Sequence, residues 1–159
     1  MSIFEVLGWK AQTYCEDLCL LATLFIESKV EIKNVHRFRF YVLTVSHDEN
    51  QFHFAGFFSK LQFQERLNLS CLLILPPYRN RGFGSLMIHL SECGSLLSYN
   101  TVDRRHAGYA LSHLASIHTG TPERPLSTQG LLCYRKYWKS KIFDYLLTKT
   151  NDEQIVING

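Results

Sequence analysis

The feature that most constrains this chain is an apolar run that ends in two prolines and a cationic glycine turn. Residues 72–75 are apolar without alternation, which is typical of a strand covered on both faces. Pro76 and Pro77 end that strand, because neither can donate to a strand ladder. We expect Gly82 and Gly84 to take positive φ and to let the backbone approach a ligand. The segment predicts a strand, a turn and a helix start in immediate succession.

The turn carries charge as well as glycine. Arg79 and Arg81 lie in it, and a helical apolar stripe begins just after it with Leu86, Met87 and Leu90. Unpaired N–H groups and the helix dipole at such a turn favour a phosphate. The turn matches neither the P-loop nor the dinucleotide-binding glycine pattern. From spacing alone, a tight turn with two solvated arginines remains an equal explanation.

Several segments of the sequence are similar to those of one enzyme family. The Arg79-x-x-Gly82-x-Gly84 arrangement resembles the pyrophosphate loop of acetyl-CoA-dependent N-acetyltransferases. Further segments resemble MYST-family histone acetyltransferases and occur in that family's order: 14–22, 40–44, 56–60, 70–73, 122–127 and 131–138. The resemblance covers about residues 3–92 and 119–148.

The resemblance implies both a fold and an activity. The fold would be α+β, a GNAT-like acetyl-CoA-binding N-acetyltransferase core with a mainly antiparallel sheet flanked by helices. The activity would be transfer of acetyl from acetyl-CoA, the co-substrate, to lysines of histone tails or other proteins, in the nucleus and within a chromatin-modifying complex. The family's zinc finger would precede the matched region, so we expect no metal in this chain. We also expect no membrane association and no sequence-specific nucleic-acid binding.

Glu123 is the candidate general base. Acetyl transfer to lysine requires loss of a proton from an ammonium whose reference pKa is about 10.4. Glu123 lies in a constrained turn just ahead of a helix, and from the residues alone interaction with the helix dipole is the more common role there. The resemblance places Glu123 on the family's catalytic glutamate, and we therefore interpret it as essential.

Cys71 is the second candidate catalytic residue. A thiolate at the start of the apolar strand could accept the acetyl group before the lysine does. A small buried apolar residue is the alternative interpretation. Cys71 matches the cysteine to which the family's acetyl-enzyme intermediate has been assigned, so we predict that it lies near the thioester in a supporting role.

The same resemblance supplies the cofactor-binding residues. Ser127, which is also a plausible helix N-cap, would contact acetyl-CoA. Lys29 matches the lysine that the family autoacetylates, although in the sequence it is only a cation at a helix end. The pantetheine arm would bind backbone groups of Leu72, Leu73 and Ile74, and the pyrophosphate would bind Asn80, Arg81, Gly82, Phe83, Gly84 and Ser85.

Length and composition indicate one folded domain. The chain has 159 residues, of which 46% are hydrophobic, enough for a core and against disorder. The net charge of +3 permits contact with an acidic partner without arguing for one. With no secretory signal, we expect the five cysteines to be reduced thiols in an intracellular protein. Cys15 and Cys19, one helical turn apart, are better explained by helix packing than by zinc.

The remaining pattern predicts an antiparallel meander followed by strand, loop and helix. We expect an edge strand at 2–6, a helix at 16–28, paired strands at 38–45 and 52–58, and a linker at 62–68 that leads to a central strand. The first helix should turn Leu20, Leu21, Leu24 and Phe25 to the core. The last helix should do so with Leu131, Leu132, Tyr134, Trp138, Ile142, Tyr145 and Leu146.

The domain should span residues 1–150 and carry an insertion at about 94–119, with a polar tail at 151–159.

A second class of function is a non-catalytic module of the same ancestry, which holds acetyl-CoA or a chromatin partner without turnover. An assay of turnover separates the two classes.

Overall fold

The computed structural model describes residues 1–26, 34–48, 51–62, 67–93 and 121–149. Two sheets and three helices account for most of them. The strands are β1 Ser2–Leu7, β2 Phe38–Asp48, β3 Gln51–Leu61, β4 Leu67–Leu69, β5 Cys71–Ile74 and β6 Thr121–Pro122; the helices are α1 Gln12–Thr23, α2 Phe83–Cys93 and α3 Thr128–Lys149. Short 3-10 turns precede β2 and follow β5.

The larger sheet has the order β1-β2-β3-β5, with every neighbouring pair antiparallel. This confirms the expected meander and the edge position of β1. The apolar run predicted to be the central strand is β5, and among the described residues it is instead the other edge strand. The smaller sheet pairs β4 with β6 in parallel, and β4 lies inside the stretch expected to be a linker.

The larger sheet is covered on both faces. One face packs against α1, where Cys15, Cys19 and Ala22 meet Cys71 and other sheet residues. The opposite face packs against α2 and α3, with a core of Leu43, Ala55, Phe58, Leu69, Met87, Ile88, Tyr134 and Tyr137. Strand β5 contributes alternate side chains to the two faces, which confirms that it is covered on both.

The structure corrects two predicted helix faces. Helix α1 begins at Gln12 rather than Glu16, and Leu20, Leu24 and Phe25 are exposed. Its buried face is Cys15, Leu18, Cys19 and Ala22, whose mostly small side chains allow close approach to the sheet. In α3 the predicted face is buried only at Tyr134, and Tyr137, three residues later, is buried beside it. Among the other predicted residues, Leu132, Trp138, Ile142 and Tyr145 are all exposed.

Candidate active site

The glycine turn forms a concave array of backbone N–H groups. Asn80 and Gly82 both have left-handed backbone geometry, with φ of 61° and 86°. The first hydrogen bond of α2 runs from the Leu86 N–H to the Gly82 carbonyl at 3.0 Å. The N–H groups of Phe83, Gly84 and Ser85 therefore have no acceptor within the helix. This arrangement can bind an anion through backbone donors and the positive end of the helix dipole.

The two glycines of the turn have different roles. A Cβ placed on Gly82 meets no atom within 4 Å, so this position faces open space. Gly84 was expected to take positive φ, and this was wrong: it lies inside α2, and among the described residues Gly82 is the glycine with positive φ. A Cβ on Gly84 would lie 2.8 Å from the Cys133 Sγ atom. Gly84 therefore allows α2 and α3 to approach closely.

The two arginines also differ. Arg79 Nε donates to the carbonyl of Ile74 at 2.9 Å, and its guanidinium lies over the Phe25 ring with 5.9 Å to the centroid. Arg79 thus ties the end of β5 to the residues after α1. Arg81 is exposed and its guanidinium lies 5.9 Å from the centre of the Tyr78 ring. Of the two, Arg81 is the cation that an anion bound at the turn would meet.

Strand β5 presents one backbone edge that no other strand covers among the described residues. Its other edge pairs with β3, with Leu72 opposite Phe58 and Ile74 opposite Gly56. Gly56 makes this pairing possible, because a Cβ there would lie 2.2 Å from the Leu73 carbonyl oxygen. The open edge is about 13 Å long, from four residues at about 3.3 Å each. Its outward N–H and C=O groups can hydrogen-bond an extended ligand lying alongside, although the Ile74 carbonyl already accepts from Arg79.

Glu123 lies at the opposite end of β5 from the glycine turn. The Glu123 N–H donates to the Leu69 carbonyl at 2.8 Å. This hydrogen bond holds the Glu123 backbone beside Leu69, which precedes Cys71 by two residues. Pro122, in the strand pair with Leu69, is buried, whereas the Glu123 side chain is exposed. The carboxylate is thus held by a paired backbone and remains accessible to an incoming amine.

The Cys71 side chain is 4% exposed and packs with the α1 face of the sheet. That position agrees with the alternative interpretation, in which Cys71 is a small buried core residue that has no chemical role. It also lies two residues after Leu69, whose carbonyl accepts the hydrogen bond from the Glu123 N–H. No disulfide involves Cys15, Cys19, Cys71 or Cys133 in the part of the chain that the structure describes.

Ser127 caps helix α3, as predicted. Its Oγ accepts a hydrogen bond of 3.1 Å from the Gly130 N–H. Six residues after Ser127 comes Cys133, whose side chain hydrogen-bonds that of Ser85. Burial raises the pKa of the Cys133 thiol, and the Ser85 hydrogen bond opposes that rise. Helix α3 therefore contacts the turn of α2 directly.

One polar cluster between α2 and α3 was not singled out from the sequence. The Tyr137 hydroxyl donates to Glu92 Oε2 at 2.6 Å and lies 3.2 Å from His89 Nδ1. Burial, with the nearby Lys141 ammonium, lowers the pKa of His89, and burial raises the pKa of Glu92. The sequence did contain a signal for this cluster, because His89 and Glu92 are polar residues three positions apart beside the apolar stripe of α2.

Lys29, the expected modification site, lies outside the described residues, as do 94–119 and 151–159.

No helix among residues 1–26, 67–93 and 121–149 is both long and apolar enough to cross a bilayer. No three metal-ligating side chains converge in the same part of the chain.

A mainly antiparallel sheet flanked by helices, with an exposed strand edge that leads into a glycine turn, is the α+β core of GNAT-like acyltransferases. The model of the MOZ/SAS family matches residues 1–101 and 105–159. The chain belongs to this family, which confirms the resemblance to MYST acetyltransferases.

Curated relatives agree with the family match. The chain is 42% identical over 147 residues to human "Histone acetyltransferase KAT6B" (92% of this chain, 6% of that protein). It is 40% identical over 147 residues to "Histone acetyltransferase Tip60 homolog" of Caenorhabditis elegans (92% and 28%). It is 39% identical over 157 residues to "Histone acetyltransferase ESA1" of Yarrowia lipolytica (98% and 29%). The chain thus spans less than a third of the length of these relatives.

Proposed function

We propose that this chain is a protein lysine acetyltransferase that transfers acetyl from acetyl-CoA to lysines of histones, and that it acts in the nucleus. The observation that carries the proposal is the order of groups along β5. The N–H array of the glycine turn lies at one end, the open strand edge follows, and Glu123 lies at the other end. Relatives named histone acetyltransferases supply the substrate class.

In this proposal the coenzyme extends along the edge of β5. The pyrophosphate binds the N–H groups of Phe83, Gly84 and Ser85 and meets Arg81. The pantetheine amides pair with backbone groups of residues 72–74, as an added strand would. The thioester then lies beside Cys71 and Glu123. Ser127, fixed as the cap of α3, faces the coenzyme from the far side of the site.

The reaction starts with the substrate ammonium. Glu123 accepts its proton, and the neutral amine attacks the thioester carbonyl to give a tetrahedral oxyanion. Backbone N–H groups at the β5 edge are the available donors to that oxyanion. Collapse breaks the C–S bond, releases the coenzyme thiolate and leaves an amide on lysine. The nitrogen loses its second proton as the amide forms, and the thiolate takes up one proton, so that charge and atoms balance.

A two-step route through Cys71 is the alternative chemistry. The Cys71 thiolate would displace the coenzyme thiolate, and the lysine amine would then attack the acetyl-cysteine. Cys19 provides a matched control, because it has the same 4% exposure and packs in the same cluster, on α1. If attack is direct, Cys71→Ala and Cys19→Ala reduce turnover to similar small extents. If acetyl-cysteine forms, Cys71→Ala alone reduces it by orders of magnitude.

The proposal is tested by incubating the 159-residue chain with labelled acetyl-CoA and histones, and by measuring acetyl-CoA binding calorimetrically. We expect both binding and transfer, and acetylation of Lys29 in the enzyme itself. Binding without transfer would instead support the non-catalytic module. Absence of binding would contradict both. Membership of a chromatin-modifying complex is part of the proposal and is tested by affinity capture of the native protein.

A further inference from the structure

The second half of helix α3 is almost completely exposed. The first half is fixed to the core through Tyr134 and Tyr137, which are both buried. From residue 138 to residue 148 every residue is exposed except Leu146, which is partly buried. We call residues 138–148 the exposed half of α3; it is about 16 Å long. This part of the helix is therefore accessible around most of its circumference while its base is held in place.

Exposed apolar side chains lie on two sides of this segment. Trp138, Ile142 and Tyr145 are spaced four and three residues apart and share one side. Phe143 and Leu147, four residues apart, share another, roughly 150° further around the helix. The exposed fractions of these five residues range from 37% to 72%. A concentration of exposed apolar surface of this kind marks an interaction site.

The same stretch of helix is basic. Between positions 135 and 148 it carries one carboxylate, Asp144, and four cations: Arg135, Lys136, Lys139 and Lys141. Arg135 and Lys139 are exposed and form no ion pair with any residue that the structure describes. Their charge is therefore available to an acidic partner. Apolar sides bordered by cations make this a basic amphipathic helix.

Charge and shape together select the kind of partner that could cover the segment. A second copy that paired through the same helix would bring its cations against those of the first, which is unfavourable. A flat protein surface would cover one apolar side and leave the other in water. An acidic groove that encloses the helix would bury both sides and compensate the cations.

We propose that the exposed half of α3 is a docking helix for an acidic Ca²⁺-sensor protein of the calmodulin type, which encloses a basic amphipathic helix in an apolar, methionine-rich groove. Trp138 and Leu147 are the two end anchors, because they lie about 13.5 Å apart along the helix axis. Trp is among the residue types that most often dominate the energy of such contacts. Tyr134 and Tyr137 keep the helix attached to the core while the partner is bound.

The test measures the binding of calmodulin to the 159-residue chain by calorimetry, with Ca²⁺ and with a chelator. We expect a one-to-one complex with a micromolar or lower dissociation constant in Ca²⁺. In the chelator the affinity should fall by about a hundredfold or more, because the apolar groove opens when Ca²⁺ binds. Added salt should weaken the complex, since the pairing charges are exposed to solvent.

Two truncations locate the contact on the helix. Leu147→Ala and, separately, Ile142→Ala should each weaken the Ca²⁺-dependent complex by about tenfold or more. Leu132→Ala is the matched control, because Leu132 is on the same helix and is 54% exposed but precedes the segment. This control should bind calmodulin as the parent does. All three side chains are exposed, so the variants should keep the melting temperature of the parent.

Absence of Ca²⁺-dependent binding would overturn the inference, and so would equal weakening by Leu132→Ala and Leu147→Ala. Two further measurements examine other occupants of the segment: cosedimentation with phosphatidylserine vesicles, and sedimentation velocity of the chain alone. If calmodulin did not bind, vesicle binding that Leu147→Ala removed would assign the segment to a membrane surface. A dimer that Leu147→Ala removed would then assign it to a second copy. None of these outcomes depends on acetyltransferase activity.

Discussion

Gly82 and Gly84 occupy one short turn, yet different physical requirements exclude a side chain at each. Gly82 has a φ of 86° and faces open space, so the constraint there is backbone geometry and access for a ligand. Gly84 is helical and is constrained by Cys133 on another helix. The glycine spacing correctly predicted a tight turn. It could not distinguish these two roles, because the second depends on a contact 49 positions away in the chain.

The role of Gly82 can be tested with two nearly isosteric variants. Asp and Asn both tolerate left-handed geometry better than most residues, so Gly82→Asp and Gly82→Asn impose similar backbone strain. Only the first places a negative charge in the open space beside the proposed pyrophosphate. We expect Gly82→Asp to bind acetyl-CoA at least about tenfold more weakly than Gly82→Asn, as measured by calorimetry. Equal affinities would place the pyrophosphate elsewhere.

The role of Gly84 predicts a non-additive pair. Gly84→Ala should destabilise the fold by about 1–3 kcal/mol, because the new Cβ overlaps the Cys133 sulfur. In a Cys133→Ala background the same change should cost clearly less, since the overlapping atom is gone. Denaturant unfolding of the parent, both single variants and the double variant gives the coupling energy. Additive free energies would show that the sulfur does not constrain Gly84.

At the scale of elements, helices α2 and α3 connect the two ends of the candidate site. Helix α2 begins at the glycine turn and α3 begins with Ser127, shortly after Glu123. Tyr137 joins them through Glu92 and His89. A change in the packing of these two helices would therefore alter the spacing between the proposed pyrophosphate site and the proposed general base.

The His89 contact makes this packing dependent on pH. The pKa of His89 is lowered in the folded chain, first by burial and then by Lys141, so the neutral form stabilises the fold. That contribution is present above the unfolded pKa of about 6.5 and is lost as pH falls through the folded value. The free energy of unfolding is measured for the parent and for His89→Gln at pH 7.5 and at pH 5.5. The difference between the two proteins at each pH separates the contribution of His89 from that of Glu92.

We expect the advantage of the parent over His89→Gln to be smaller at pH 5.5 than at pH 7.5. Glu92, whose pKa is raised, changes stability in the opposite direction as pH falls, but it is present in both proteins. An advantage that grew on acidification would mean that protonated His89 is stabilised by Glu92.

Element boundaries and faces show where the sequence was sufficient. Strands β2, β3 and β5 were predicted nearly in place, because alternation and the prolines are local signals. The face of α1 was wrong because Leu20 and Leu24 looked more apolar than Cys15 and Cys19. A helix that packs closely on a sheet favours small residues, and hydrophobicity alone does not reveal that preference.

At the scale of the molecule, the candidate site exists only because three parts of the chain meet at β5. The glycine turn follows β5 directly and was predictable. Glu123 arrives through the parallel pairing of β6 with β4, between residues more than 50 apart in the sequence. No local pattern encodes that pairing, and the family resemblance was needed to single out Glu123.

The central claim is that Glu123 removes the substrate proton, and Glu123→Gln tests it most directly. The substitution keeps the side-chain shape and the backbone hydrogen bond to Leu69, so folding and acetyl-CoA binding should survive. Asp17→Asn, on the exposed side of α1, is the control for loss of one negative charge.

The measurement is the rate of histone acetylation by these proteins from pH 6.5 to 9.5. We expect a loss of about a hundredfold or more in Glu123→Gln near neutral pH, the usual scale of general acid–base catalysis. The loss should shrink as pH rises, since more of the lysine is already neutral. Asp17→Asn should match the parent. Parent-like turnover in Glu123→Gln at neutral pH would contradict the account.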